Sequence, residues 1–317
     1  MQYIVLDMEW NQAWPGSYSA KRLPIKFRGE IIQIGAVRVT DRQIVGDEFQ
    51  VLIKPKVFRK LNKKVSSLTG IKDAQLAEHG VPFPEAIDRF REWCGEDCVF
   101  LTWGFDDIGI LKENMELHGL ESSWVDRWYN AQMIFNSQTD GATAQKALKT
   151  AMQMAGVEPT RPAHDALGDA YHTAILCTRL DLPRGMEEYG RSMEEHENGF
   201  HGAQIPGCLD RKVFHGLAGR DDALELLGGE ENLCPKCQSL MNHGKWVSSQ
   251  NRRYTAMASC PNHGQFLLRV RLVAEEDGTT KAIRMIYEGT SDAANTFRTT
   301  KATVRKRTRR PHSSTKQ

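Results

Sequence analysis

A chain of 317 residues with 40% apolar content can bury one large core and a smaller one, and its composition excludes a fully disordered protein. No apolar run reaches the length of a membrane span, and the first residues lack the basic-then-apolar pattern of an export signal, so a cytoplasmic location is expected. The formal charge of +2 is uneven: from residue 298 onward there are eight Lys or Arg and no acid, which leaves 34 basic against 40 acidic residues before them, a net of −6.

Residues 3–10 (YIVLDMEW) start as an apolar run of β-formers and read as a buried strand. Asp7 and Glu9 break the run. Side chains two apart on a strand share a face, so both carboxylates point the same way from its end. Two close anions need a cation between them, and hard oxygens at this spacing suit magnesium or manganese; an acidic strand end in water is the alternative.

A loop with Pro15, Gly16, Lys21, Arg22, Lys26 and Arg28 follows, whose cations either track phosphates or sit in water. Residues 30–39 and 48–53 read as two strands of an antiparallel hairpin. A basic helical segment over 58–68 runs into Thr69-Gly70. The spacing of Ile87, Phe90 and Trp93 predicts a helix over 84–94. Residues 99–103 read as a fourth strand, 106–118 as a helix and 129–135 as a fifth strand. Helices over 143–155 and 166–180 flank a loop holding Pro159 and Pro162. A meander of three strands, followed by strands alternating with helices, predicts an α/β fold: a mixed sheet with helices on its faces. Ligands in such sheets sit beyond the carboxyl ends of the strands, where Asp7 and Glu9 end the first and Asp106-Asp107 follow the fourth.

Asp7 with Glu9, Asp107, and His164 with Asp169 in AHDALGDA make four acids and one histidine. Together with GEIIQIGAV, SLTGI, TWGFDDIGIL and AHDALGDAYHTA, this set resembles the DEDDh family of 3′-to-5′ exonucleases, of ribonuclease H-like fold, and is most similar to its KapD/Eri1-like branch. The likeness covers residues 1–182. It implies two divalent ions, magnesium or manganese. Asp7, Glu9 and Asp169 would hold one ion, Asp7 the other, and Asp107 would act largely through water. Such a pair, roughly 4 Å apart, can hold the attacking and leaving oxygens of a phosphodiester in line. His164 would take the proton of the attacking water, since an imidazole titrates near neutrality. Asp107 is preferred to Asp106 because Ile110 and Leu111 then match the family's apolar spacing; Asp165 reads as a helix N-cap. Met8 and Thr69 fall in the family motifs and are assigned to substrate. Trp10 stands where the family more often has a small residue. It either stacks on the 3′-terminal base or packs under the loop.

Residues 183–230 read as a linker or accessory segment, weakly helical over 187–197 and 221–227. Cys234-x-x-Cys237 and Cys260-x-x-His263 then form two knuckles that resemble a zinc ribbon over 231–290, with a structural zinc on four protein ligands. WVSS and RRYTAMAS read as a hairpin, and 266–273 as a third strand. His243 is a lesser alternative to His263. Residues 291–317 read as a basic, disordered tail. The ribbon, through Arg252, Arg253, Arg269 and Arg271, and the tail are candidate contacts for nucleic acid; a solvated tail without a partner is the alternative.

The expected function is a metal-dependent 3′-to-5′ exonuclease acting on single-stranded 3′ ends, with RNA favoured by the branch resemblance. A DNA proofreading or repair exonuclease and a non-catalytic nucleic-acid-binding adaptor are the competing readings.

Overall fold

The computed structural model describes residues 2–12, 27–40, 42–202, 205 and 207–308. Lys21, Arg22 and Lys26 lie outside them. The chain divides into two compact units, Met1–Met193 and Glu194–Gln317.

The first unit is built on a five-stranded mixed sheet in the order β3-β2-β1-β4-β5. Its strands are β1 Gln2–Asn11, β2 Glu30–Thr40, β3 Gln43–Leu52, β4 Cys98–Thr102 and β5 Trp128–Asn130. β1 pairs antiparallel with β2 and parallel with β4, so the apolar opening stretch lies at the centre. The alternation of β1 feeds two cores. Ile4, Leu6 and Met8 pack with Phe83, Ile87 and Phe90 of α3 (Phe83–Cys94) and Ile108 and Leu111 of α4 (Asp106–Leu117). Tyr3 and Val5 face the other layer, with Ile134 of α5 (Ala131–Gln138) and Ala170 and Ala174 of α7 (Ala166–Thr178). α1 (Lys63–Thr69), α2 (Asp73–His79) and α6 (Leu148–Met154) complete the helices up to α7.

Gly35 fixes how closely α7 approaches. It lies opposite Asp7 in the β1–β2 ladder, and a Cβ there would stand 2.1 Å from the Leu167 backbone nitrogen. Without a side chain at 35, the first turn of α7 rests directly on the sheet beside Asp7.

Residues 131–135 of the expected fifth strand are helical. β5 stops at Asn130, whose side chain accepts from the Gln132 backbone N–H and caps α5. The expected strand shares Tyr129 and Asn130 with β5 and then runs into a buried helix, because an apolar run carries no period that separates the two.

The second unit holds a six-stranded antiparallel sheet, β6-β11-β10-β9-β7, with β8 also paired to β9. Its strands are β6 Cys208–Leu217, β7 Asn242–His243, β8 Val247–Ser249, β9 Arg253–Cys260, β10 Gly264–Ala274 and β11 Thr280–Glu288. Residues 183–230 are therefore more than a linker. They hold α8 (Leu182–Glu187), α9 (Tyr189–Glu197), the edge strand β6 and α10 (Arg220–Gly228). Nor is 291–317 wholly disordered: Ser291–Thr308 is a helix, α11, anchored by Ala293 and Phe297, four apart, against the apolar face formed by Leu267, Ile283 and Met285.

Candidate active site

The carboxyl end of β1 is the floor of a cleft of about 630 Å³. Asp7 and Glu9 follow Tyr3 and Val5 on the face toward α7, so the apolar row ends in two carboxylates. A bulge between Glu9 and Trp10 ends the regular register there. Asp169 arrives on the first turn of α7, and Asp107 on the first turn of α4 behind β4. His164 lies in the loop before α7 with φ of 60°, and its backbone N–H donates to Asp169 Oδ2 at 3.0 Å. One ligand atom each from Glu9, His164 and Asp169 lie within 4.8 Å of one another. All five residues line the same cleft.

The adjacent aspartates both line the cleft but differ in burial and partners. Asp107 is 6% exposed. The side chain of Asp106 is 68% exposed and is drawn to Arg28, 2.8 Å away, which also holds Glu113 at 2.6 Å. Asp165 turns from the cleft and caps α7, accepting from Gly168 N–H at 3.0 Å and from Gln33 at 2.7 Å.

The carboxylates raise one another's proton affinity. Burial pushes Asp7 well above the usual carboxylate range, and Asp107, Asp169 and Glu9 add to the effect. Burial, with Asp169 and Asp107, lifts Glu9 to about 8. Burial also lifts Asp107 to about 7, against hydrogen bonds from the backbone N–H groups of Asp107 and Met8. Asp169 is raised by burial, opposed by the N–H of His164. Among the described residues no Lys or Arg is ion-paired with any of the four. A cluster of unpaired, hard oxygen donors that resists ionisation is what a divalent cation relieves, and the donor set fits magnesium or manganese.

The residues assigned to substrate differ in what they offer. Met8 is 2% exposed and belongs to the opposite core, as strand alternation requires, so only its backbone reaches the cleft. Thr69 lines the cleft, but its hydroxyl donates to Val65 O at 3.0 Å and accepts from Ile71 N–H at 3.1 Å. Trp10 lines the cleft, and its ring also covers Gly29, where a Cβ would stand 2.3 Å from Trp10 Cδ1. Lys64, Gln132 and Lys146 also line the cleft and were not singled out in the sequence. Gln132 leaves its Oε1 buried without a partner among the described residues, a feature no local motif announces.

In the second unit Cys234, Cys237, Cys260 and His263 converge within 4.8 Å. Cys234 Sγ to His263 Nδ1 is 3.6 Å, Cys237 Sγ to Cys260 Sγ 3.6 Å and Cys260 Sγ to His263 Nδ1 3.7 Å. Metal–sulfur bonds of about 2.3 Å in a tetrahedron give edges of roughly 3.6–3.8 Å, so the spacing fits a structural zinc. The Ser239 hydroxyl and N–H draw the Cys237 thiol down to about 6, toward the thiolate a metal requires. His243 stays outside the cluster, its Nδ1 2.7 Å from Gly244 O.

The sequence profile of the RNase_T exonuclease family matches residues 4–177. The probable 3′-5′ exonuclease KapD of Bacillus subtilis (strain 168) is 28% identical over 168 residues, covering 53% of this chain and 78% of KapD. ERI1 exoribonuclease 2 of Homo sapiens is 26% identical over 180 residues, covering 48% of this chain and 25% of that protein. This chain thus spans most of KapD and a quarter of ERI1 exoribonuclease 2. The nuclease domain of 3′hExo, a DEDDh family member solved with rAMP, matches at a TM-score of 0.48 and 21% identity, over 59% of this chain and 94% of that domain.

Proposed function

The chain belongs to the RNase_T exonuclease family as a hydrolytic 3′-to-5′ exonuclease of DEDDh type, and from this we propose that it trims single strands from their 3′ ends, RNA before DNA, with two divalent ions and His164 as general base. The observation that carries the proposal is the convergence of Asp7, Glu9, Asp107 and Asp169, with raised proton affinity and no paired cation among the described residues, in one cleft beside His164. RNA is put first because ERI1 exoribonuclease 2 is named for it.

Asp7, Glu9 and Asp169 would hold one ion, Asp7 would share the second, and Asp107 would act through water. Bound magnesium or manganese would neutralise the phosphate and hold the attacking and leaving oxygens in line. His164, exposed at the cleft, accepts a proton from the water whose oxygen attacks phosphorus. The bond from phosphorus to the 3′ oxygen breaks. That oxygen takes a proton and becomes the new 3′ hydroxyl of the shortened strand, and a nucleoside 5′-monophosphate leaves. The bond from the backbone N–H of His164 to Asp169 holds the loop that carries His164 against the first turn of α7. Trp10 offers a ring face for the terminal base. In the second unit, zinc would hold the two knuckles together with all four ligand positions filled by protein, which makes its role structural.

Digestion of 5′-labelled RNA and DNA strands, with and without magnesium, tests the proposal. The expected result is a ladder shortening from the 3′ end, faster on RNA and dependent on magnesium. Release of the 5′ label as the first product, or equal cleavage in magnesium-free buffer, would overturn it.

A further inference from the structure

One face of the second sheet concentrates arginine without acid. Arg253 on β9 and Arg271 on β10 stand directly opposite each other in the antiparallel ladder, and Arg269 lies two residues along on the same face. Like charges at a directly opposed pair destabilise a sheet. The ion pairs described in this unit use Lys212, His215, Arg220, Lys236 and Arg284 instead. Arg253 Nε donates to Gln250 O at 3.0 Å. Arg271 donates to the backbone O of Glu197 at 2.6 Å and bonds His201 Nδ1. The Glu197 carboxylate acts on Arg271 only through space. The Nε groups of Arg269 and Arg271 are buried without a partner among the described residues. Arg269 lies flat over Phe200, 3.6 Å from the ring centre.

Arg253 and Arg271 open into a pocket of about 430 Å³ that Arg252 and His201 also line. Arg252 enters from the turn between β8 and β9, where Asn251 has φ of 58° and Arg252 φ of 53°. Left-handed backbone suits Gly or Asn, so an arginine held there is a conformational cost kept for what the side chain does. Burial, Arg271 and Arg253 hold His201 neutral, down to about 4, so it accepts from Arg271 without adding charge.

We propose that this pocket binds backbone phosphate of a nucleic-acid strand through Arg252, Arg253 and Arg271. Guanidinium forks with spare N–H donors match phosphate oxygens in pairs. Among the described residues no Phe, Tyr or Trp lines the pocket, and three guanidinium groups dominate it, so recognition is chiefly of the charged backbone and largely independent of sequence. That the phosphate belongs to nucleic acid rests on the function proposed for the cleft of the first unit.

The test uses the full chain and a fluorescein-labelled oligouridine in magnesium-free buffer, read by anisotropy across a salt series. Arg252→Gly removes one donor and relieves the left-handed backbone, so the variant folds. Its Kd is expected to rise about three- to tenfold, with the slope of log affinity against log salt smaller by about 0.7, one phosphate contact on a single strand. Adding Arg253→Gln deepens both changes; zinc content and melting confirm the fold. Hydrolysis of thymidine 5′-phosphate p-nitrophenyl ester, too small to need a second site, reads the cleft alone and is expected to be unchanged. Unaltered affinity and slope in both variants, or no strand binding by the parent chain, overturns the pocket. Loss of ester hydrolysis in the parent chain with the Arg252→Gly effect intact overturns the cleft and leaves the pocket standing.

Discussion

Replacing a metal-site acid should stabilise the metal-free protein while abolishing its chemistry. Glu9 is the case to work through. Its carboxyl stands at about 8 in the folded chain against 4.5 in a free side chain, because it is buried beside Asp169 and Asp107. Between those two values the folded chain holds a proton that the unfolded chain has released, so stability falls as pH rises from about 4.5 to about 8. Each pH unit is worth about 1.4 kcal/mol, which sets an upper bound of about 3 kcal/mol at pH 7. Water entering the cleft reduces it, and Glu9→Gln, which needs no proton, should gain about 1–3 kcal/mol. For a unit of this size that is a rise in Tm of about 2–12 °C. The assay is thermal melting of the full chain in magnesium-free buffer and again with magnesium. The parent chain should melt lower at pH 8 than at pH 6 without magnesium, and rise when magnesium is added. Glu9→Gln should start higher and respond less. A variant that melts below the parent chain in magnesium-free buffer would refute the idea that these acids are uncompensated.

Four further outcomes follow from the geometry. His164→Ala should lose about 10²–10⁴-fold in kcat while keeping most of the magnesium-induced rise in Tm, because the backbone bond to Asp169 survives the substitution. Asp107→Asn should lose at least 100-fold in activity, whereas Asp106→Asn, which only releases Arg28, should stay within a few-fold in the same digestion assay. Gly35→Ala should cost about 1–3 kcal/mol by forcing α7 off the sheet, read as a lower denaturation midpoint together with lost activity. Cys237→Ser should drop bound zinc from one per chain to none by elemental analysis and remove the melting transition of the second unit.

The acidic cluster was legible partly from strand alternation and partly from the family resemblance that joined its distant members. Asp7 and Glu9 share a face by strand alternation, and the gap of five from His164 to Asp169 spans a loop and the first helical turn behind it. The same alternation speaks against Met8, whose side chain enters the opposite core; the family motif named the position without its face. Asp107 was preferred to Asp106 on the apolar spacing of Ile110 and Leu111, whereas the bond from Arg28 to Asp106 spans 78 residues and no local pattern reveals it. The strand Cys208–Leu217 escaped notice because its exposed edge carries no alternation, and its apolar members Val213, Phe214 and Leu217 find partners on distant elements. Helix α11 escaped for the converse reason: Thr and charge dominate it, and it is Ala293 and Phe297 that pack on the apolar face beneath it. The convergence of Cys234, Cys237, Cys260 and His263 was legible from the two knuckles and their resemblance to a zinc ribbon, since such knuckles bring four donors together with little help from a core.

Anomalous scattering from a crystal soaked in manganese and a nucleoside 5′-monophosphate is the most direct measurement of the central idea. Two manganese peaks are expected about 2.0–2.2 Å from carboxylate oxygens of Asp7, Glu9 and Asp169, with the phosphate between them and His164. Peaks elsewhere, or none within reach of Asp7, would contradict it.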